Sequence, residues 1–173
     1  CFVPDGDYAS FIEQYTGQSS EPGDFVNKEG KVLGKHKGQI HYTIGQRRGL
    51  GISAPESLYV CGKSLDSNEV ILGGKQDLMS NYCYINDINL IPWDHLDAPI
   101  KCKVKTRYRQ PEQPATVEQI GEDLIKITFD EPQRAVTPGQ AAVLYDDDMV
   151  LGGGTILPEG LASTMTTSQG TNN

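Results

Sequence analysis

The sequence predicts a mainly β protein, with a small mixed α/β domain over residues 1–76 followed by a six-stranded antiparallel β-barrel over residues 77–158. Three observations carry this reading. The opening residues hold the chain's one segment of clear 3.6-residue hydrophobic period, the pattern changes to repeated period-two segments from Tyr82 onward, and turn-forming residues punctuate those segments at short intervals. Six short strands in succession are best satisfied by closure into a barrel, which leaves no exposed edge.

Each element has a local reason. Tyr8, Phe11, Ile12 and Tyr15 fall at i, i+3, i+4 and i+7, with Asp5 or Asp7 able to cap and Gly17 able to stop the helix they predict. A Ser-Ser-Glu-Pro-Gly linker follows. Asp24 to Val26 and Lys31 to Leu33 read as a hairpin turned by Asn27 to Gly30, and Leu58 to Leu65 with Glu69 to Leu72 as a second, turned by Asp66 to Asn68. The barrel strands are expected at Tyr82–Leu90, Ile100–Tyr108, Ala115–Gln119, Leu124–Phe129, Ala141–Tyr145 and Met149–Ile156. The tail over 159–173 is rich in Ser, Thr, Gly and Asn and has too little apolar content to fold.

Of the 173 residues, 37% are hydrophobic and no run approaches the length of a membrane span, so no membrane association is expected. Cys1, Cys61, Cys83 and Cys102 are widely spaced, without a Cys-x-x-Cys pair. That pattern argues against a structural zinc site and a secreted disulfide scaffold, and it fits a reducing cytoplasm. The net charge of -8 counts against a nucleic-acid partner until its distribution is considered. Residues 1–25 carry five acids and no Lys or Arg, whereas 28–48 hold Lys28, Lys31, Lys35, Lys37, Arg47 and Arg48 against Glu29 alone. Local charge sets the field that a phosphate backbone meets.

Two segments stand out as binding candidates. Gly34 to Ile52 combines five glycines with a cluster of cations; glycine lets backbone approach a ligand or take up positive φ, and Lys and Arg contact phosphate. A basic solvated loop would have the same composition. Lys101, Lys103, Lys105, Arg107 and Arg109 alternate along the sequence, so a strand would set all five on one face, with Cys102, Val104, Thr106 and Tyr108 on the other. A solubilised outer face of the sheet fits the same alternation.

The run His36-Lys-Gly38, then Tyr42-Thr-Ile-Gly-Gln-Arg-Arg-Gly-Leu-Gly-Ile52, resembles the central-domain signature of the tRNA-specific 2-thiouridylases, the MnmA family. Arg107-Tyr-Arg-Gln-Pro111, followed by Phe129-Asp-Glu-Pro-Gln-Arg-Ala-Val-Thr-Pro-Gly-Gln-Ala-Ala142, resembles the C-terminal domain of that family. The resemblance runs from Cys1 to about Ile156. The family's usual Arg-Lys is Arg47-Arg48 here, which keeps both charges.

The resemblance implies a function. A Cys-Phe-Val context would make Cys1 the catalytic residue, carrying the transferable sulfur as a persulfide to C2 of the wobble uridine after ATP-dependent adenylylation of its oxygen. Thiolate fraction and exposure would set its reactivity. The sulfur would come from a cysteine desulfurase or a sulfur-relay protein. The tRNA contacts implied are Lys35, His36, Lys37, Tyr42, Gln46, Arg47 and Arg48 in the signature loop, and Lys103, Lys105, Arg107, Tyr108, Arg109 and Arg134 in the barrel. Tyr42 could stack on a base or fill a core, and Arg134 could pair with Asp130 or Glu131 instead of RNA. The sequence holds no Ser-Gly-Gly-Val-Asp-Ser loop for the pyrophosphate of ATP and opens on the sulfur-carrying position. It is therefore expected to be a C-terminal fragment, inactive alone, monomeric, and without a cofactor or metal of its own; ATP with Mg would serve the full-length enzyme.

Two other readings remain open from sequence. A stand-alone RNA- or ribosome-binding β-barrel module would need no catalytic residue. A first-residue cysteine also occurs as the nucleophile of hydrolases that use their own α-amino group as base, although those folds rest on large stacked sheets flanked by helices.

Overall fold

The computed structural model of the chain describes residues 20–64 and 66–158. The expected amphipathic helix, Cys1 and the polar tail lie outside the described residues. The chain divides into two compact units between Leu78 and Met79.

The first unit is a four-stranded mixed sheet built from the two expected hairpins. Its strands are β1 (Gly23–Asn27), β2 (Val32–His36), β3 (Tyr59–Ser64) and β4 (Glu69–Gly73), in the order β2-β1-β4-β3. Asn27 turns the first hairpin with its own side chain, whose Oδ1 accepts from the Glu29 and Lys31 amides at 3.1 and 2.8 Å. Each hairpin is antiparallel, and they join through β1 and β4, which run parallel in the register Phe25 to Val70 and Val26 to Ile71. Parallel joining places β2 and β3 at opposite edges. The connection between them must therefore cross the sheet, as parallel arrangements require.

That crossing is made by the signature segment. Tyr42 and Leu50 are buried on the sheet against Phe25, Val60, Val70 and Leu72, with Ile44, Ile52 and Leu58 packed around them. Four of its glycines take positive φ, Gly38 at 125°, Gly45 at 87°, Gly49 at 76° and Gly51 at 67°. Side chains other than glycine rarely adopt such values, so the spacing of glycines is what lets the segment fold back over the sheet.

The second unit is a closed barrel of six antiparallel strands. They are β5 (Met79–Leu90), β6 (Ile100–Lys105), β7 (Gln113–Gly121), β8 (Leu124–Arg134), β9 (Ala141–Asp146) and β10 (Met149–Ile156), in the circular order β10-β5-β8-β7-β6-β9. The interior is filled by alternating side chains, among them Ile85, Val104, Val117, Ile125, Ile127, Phe129, Leu144 and Ile156. Closure depends on Gly152 and Gly153 of β10: a Cβ at either position would collide with the backbone of a neighbouring strand, at Asn89 and Ala142 respectively.

Several strands run longer than expected, β2 to His36, β5 from Met79, β7 over Gln113–Gly121 and β8 to Arg134, and β6 is shorter. β6 ends at Lys105, not Tyr108, because Thr106 is buried and the chain turns where the Gln110 amide donates to the Arg107 carbonyl at 3.2 Å. The face of five alternating cations is thus three, Lys101, Lys103 and Lys105, and Tyr108 leaves the apolar face expected for it.

Candidate functional site

In the first unit, burial sorts the signature segment into packing and presenting residues. His36 is 2% exposed; its Nδ1 accepts from the Gly38 amide at 3.0 Å, so its Nε2 carries the proton and donates to the Asn68 carbonyl at 3.1 Å. It links the crossing segment to the turn between β3 and β4. The His36, Tyr42 and Phe25 rings meet edge to face, with centroids 5.0 to 5.8 Å apart. His36 and Tyr42 thus face the sheet, and of the two roles open to Tyr42 the structure takes core packing. Gln39, which sequence reasoning missed, is buried and donates from Nε2 to the Ser64 carbonyl at 2.6 Å.

Gln46 shapes the loop. Its Oε1 accepts from the Thr43 amide at 3.0 Å, its Nε2 donates to the Arg48 carbonyl at 2.9 Å, and its carbonyl accepts from the Val60 amide. The effect is a tight bend that sets Arg47 and Arg48 outward, both exposed. Lys37 is exposed as well, and Lys35 reaches Asp24 at 2.6 Å. Beside Arg47 lies an open concavity of about 320 Å³, lined also by Gly49, Gly51, Glu56 and Ser57.

In the barrel, the three strand lysines each meet an acid brought by another segment. Lys101 lies 2.8 Å from Asp130, Lys103 3.0 Å from Asp147 and Lys105 3.9 Å from Glu112. The hydrogen bond to Asp147, then the charge of that carboxylate, holds the Lys103 ammonium above its usual range. These pairs balance the charge of the face, which weakens the field it offers to phosphate.

The end of the barrel past β6 is different. Arg107 folds inward, and its Nη2 donates to the Ala135 carbonyl at 2.7 Å and to Thr137 Oγ1 at 3.1 Å. Gln110 Nε2 donates to Gln133 Oε1 at 2.7 Å, and Gln133 Nε2 to the Glu131 carbonyl at 2.8 Å. This network, with Gln110 and Gln133 as members that sequence reasoning left out, joins the two distant motifs Arg107–Pro111 and Phe129–Ala142. Desolvation, then the charge of Arg134, lowers the Arg107 pKa. The turn after β6 presents Tyr108, 93% exposed, and exposed Arg109, and the end of β8 presents exposed Arg134.

The described thiols are unsuited to nucleophilic work. Burial raises Cys83 to about 12; burial and the charge of Asp77 raise Cys61 to about 11; burial and Asp146 raise Cys102 to about 11. Among the described residues, no three His, Cys, Asp or Glu come together as a metal site, and no helix is long and apolar enough to cross a membrane.

Comparison with known proteins now decides the family. Residues 9–74 match the tRNA methyl transferase PRC-barrel domain, and residues 80–156 match the aminomethyltransferase beta-barrel domain. The tRNA-specific 2-thiouridylase MnmA of Clostridioides difficile is 45% identical over 156 residues, covering 90% of this chain and 43% of that protein. The chain belongs to the MnmA family of tRNA-specific 2-thiouridylases. Those of Carboxydothermus hydrogenoformans and Acetivibrio thermocellus are 44% and 45% identical, again over 90% of this chain and 43% and 44% of theirs. The chain spans less than half the length of these MnmA relatives, and the match falls on their C-terminal part.

Proposed function

We propose that this chain is the tRNA-handling and sulfur-carrying part of a tRNA 2-thiouridylase. The observation that carries the reading is the pairing of MnmA kinship over 90% of the chain with two cation-bearing surfaces, Lys37, Arg47 and Arg48 on the crossing loop and Tyr108, Arg109 and Arg134 at the barrel end. Arginine forks suit phosphate oxygens, and an exposed tyrosine between arginines suits an unpaired base.

In this reading Cys1 carries sulfur received from a cysteine desulfurase or relay protein as a persulfide. Its outer sulfur attacks C2 of the wobble uridine and the adenylylated oxygen leaves with AMP; a second thiolate then attacks Cys1 Sγ, forming a disulfide with it as the S–S bond to the transferred sulfur breaks. Cys61, Cys83 and Cys102 are poor candidates for that thiol, since their raised pKa values keep them protonated near neutral pH. The second thiol and the ATP-binding residues are assigned to a part of the enzyme other than this chain.

Binding of unmodified tRNA tests the reading. Affinity should fall steeply with salt, and replacing Arg47 and Arg48 by Ala should flatten the slope of log affinity against log salt by about two units if each contacts one phosphate. A chain that binds no tRNA at low salt would refute the proposal.

A further inference from the structure

The concavity beside Arg47 has features that a general basic surface lacks. Its floor is the stretch Gly49-Leu50-Gly51, where φ is positive at both glycines and negative at Arg48, Leu50 and Ile52. Alternation of αR and αL backbone turns successive N–H groups to one side and forms anion-binding hollows, and the alternating sign of φ over 48–52 is compatible with that arrangement. Among the described residues, the amides of Gly49, Leu50 and Gly51 donate to no protein acceptor. Arg47, Glu56 and Ser57 line the same hollow.

A purely cationic trough would not include Glu56. A carboxylate repels phosphate, yet it accepts hydrogen bonds from sugar hydroxyls, as acids beside dinucleotide pyrophosphates do with ribose. Its presence in one hollow with Arg47 suits a ligand that carries both an anionic group and hydroxyls. The volume of about 320 Å³ sits at the small end of the range of ligand sites, roughly 300–1,000 Å³, and is right for one sugar and its phosphate. The apolar side of the hollow, Ile52, Ala54, Pro55 and Leu58, holds no competing donor side chain.

The geometry points to a single-ribonucleotide backbone site at this hollow: Arg47 and the amides of Gly49 to Gly51 hold one phosphate, and Glu56 accepts from the neighbouring ribose 2′-OH. This rests on the tRNA-binding reading and adds to it a means of telling RNA from DNA, because the 2′-OH is the group that differs. The crossing loop then does two things with one sequence. Its apolar residues close the sheet core, and the backbone bends that let them do so expose the amides.

The test compares unmodified tRNA with an anticodon stem-loop made as RNA and as DNA of the same sequence. The wild-type chain should prefer the RNA form. Glu56→Ala should raise DNA affinity by removing repulsion but lower the RNA-to-DNA ratio roughly fivefold, about the worth of one hydrogen bond. Arg47→Ala should weaken both forms alike and reduce the salt slope by about one. Gly49→Ala, whose φ of 76° disfavours a side chain, should weaken both forms too, with the fold checked by circular dichroism. If tRNA binds but Glu56→Ala shifts RNA and DNA equally, or Arg47→Ala changes neither, the ribonucleotide site is wrong while the tRNA reading stands. If no nucleic acid binds, the tRNA reading itself fails.

Discussion

Arg107 and Arg109 stand two residues apart in one motif and face opposite ways. Arg107 is drawn under the barrel end, where its guanidinium bridges the Ala135 carbonyl and Thr137, while Arg109 is exposed. A hydrogen bond that involves a charged group contributes about 1.5–3 kcal/mol, and a buried partner left unsatisfied costs about 1–3 kcal/mol. Arg107→Ala should therefore lower barrel stability by about 1–3 kcal/mol in urea unfolding, whereas Arg109→Ala should change it by less than about 0.5 kcal/mol and act on RNA binding instead. Equal stability losses would mean that the inward bridge has been misassigned. The alternation of the two arginines was plain in sequence, but the turn that separates their roles was not. It depends on Thr106 being buried and on Gln110 finding Gln133 from β8, a contact 23 residues away. Sequence distance likewise hid the meaning of Lys101 and Lys103, whose acids Asp130 and Asp147 arrive from β8 and the β9–β10 turn through barrel register.

Among the elements, β10 shows how local sequence governs closure. Gly152 and Gly153 pass so close to β5 and β9 that an added methyl at either meets backbone, which cannot swing aside as a side-chain tip can. Gly153→Ala should cost about 1–3 kcal/mol through forced backbone shifts, read as a lower urea midpoint. Gly139→Ala makes a useful contrast. It has open space around its Cβ position but φ of 82°, so any loss there comes from backbone strain alone. The strands themselves were legible, since period two and turn residues are local signals. The crossing of the signature segment was not, because nothing within either hairpin specifies that β1 should join β4 in parallel. Once that pairing is made, the burial of His36 and Tyr42 follows, and with it the withdrawal of two residues that looked like ligand contacts.

At the scale of the whole molecule, a net charge of -8 coexists with confined cationic patches. Acids cluster in the opening residues and in turns such as that of Asp147 and Asp148, while Arg47, Arg48 and Arg109 are exposed on loops and Arg134 at the end of β8. Such a distribution favours contact with phosphate at defined places and disfavours general adhesion to nucleic acid. The proposed sulfur-carrying role can be tested apart from the proposed tRNA binding, because it depends on one thiol of four. Incubating the chain with a cysteine desulfurase and free cysteine, followed by peptide mass spectrometry, measures it directly. The account predicts one extra sulfur on the Cys1 peptide and none on those of Cys61, Cys83 or Cys102, whose raised pKa values keep them protonated. Sulfur found on one of those three, with Cys1 unmodified, would contradict it.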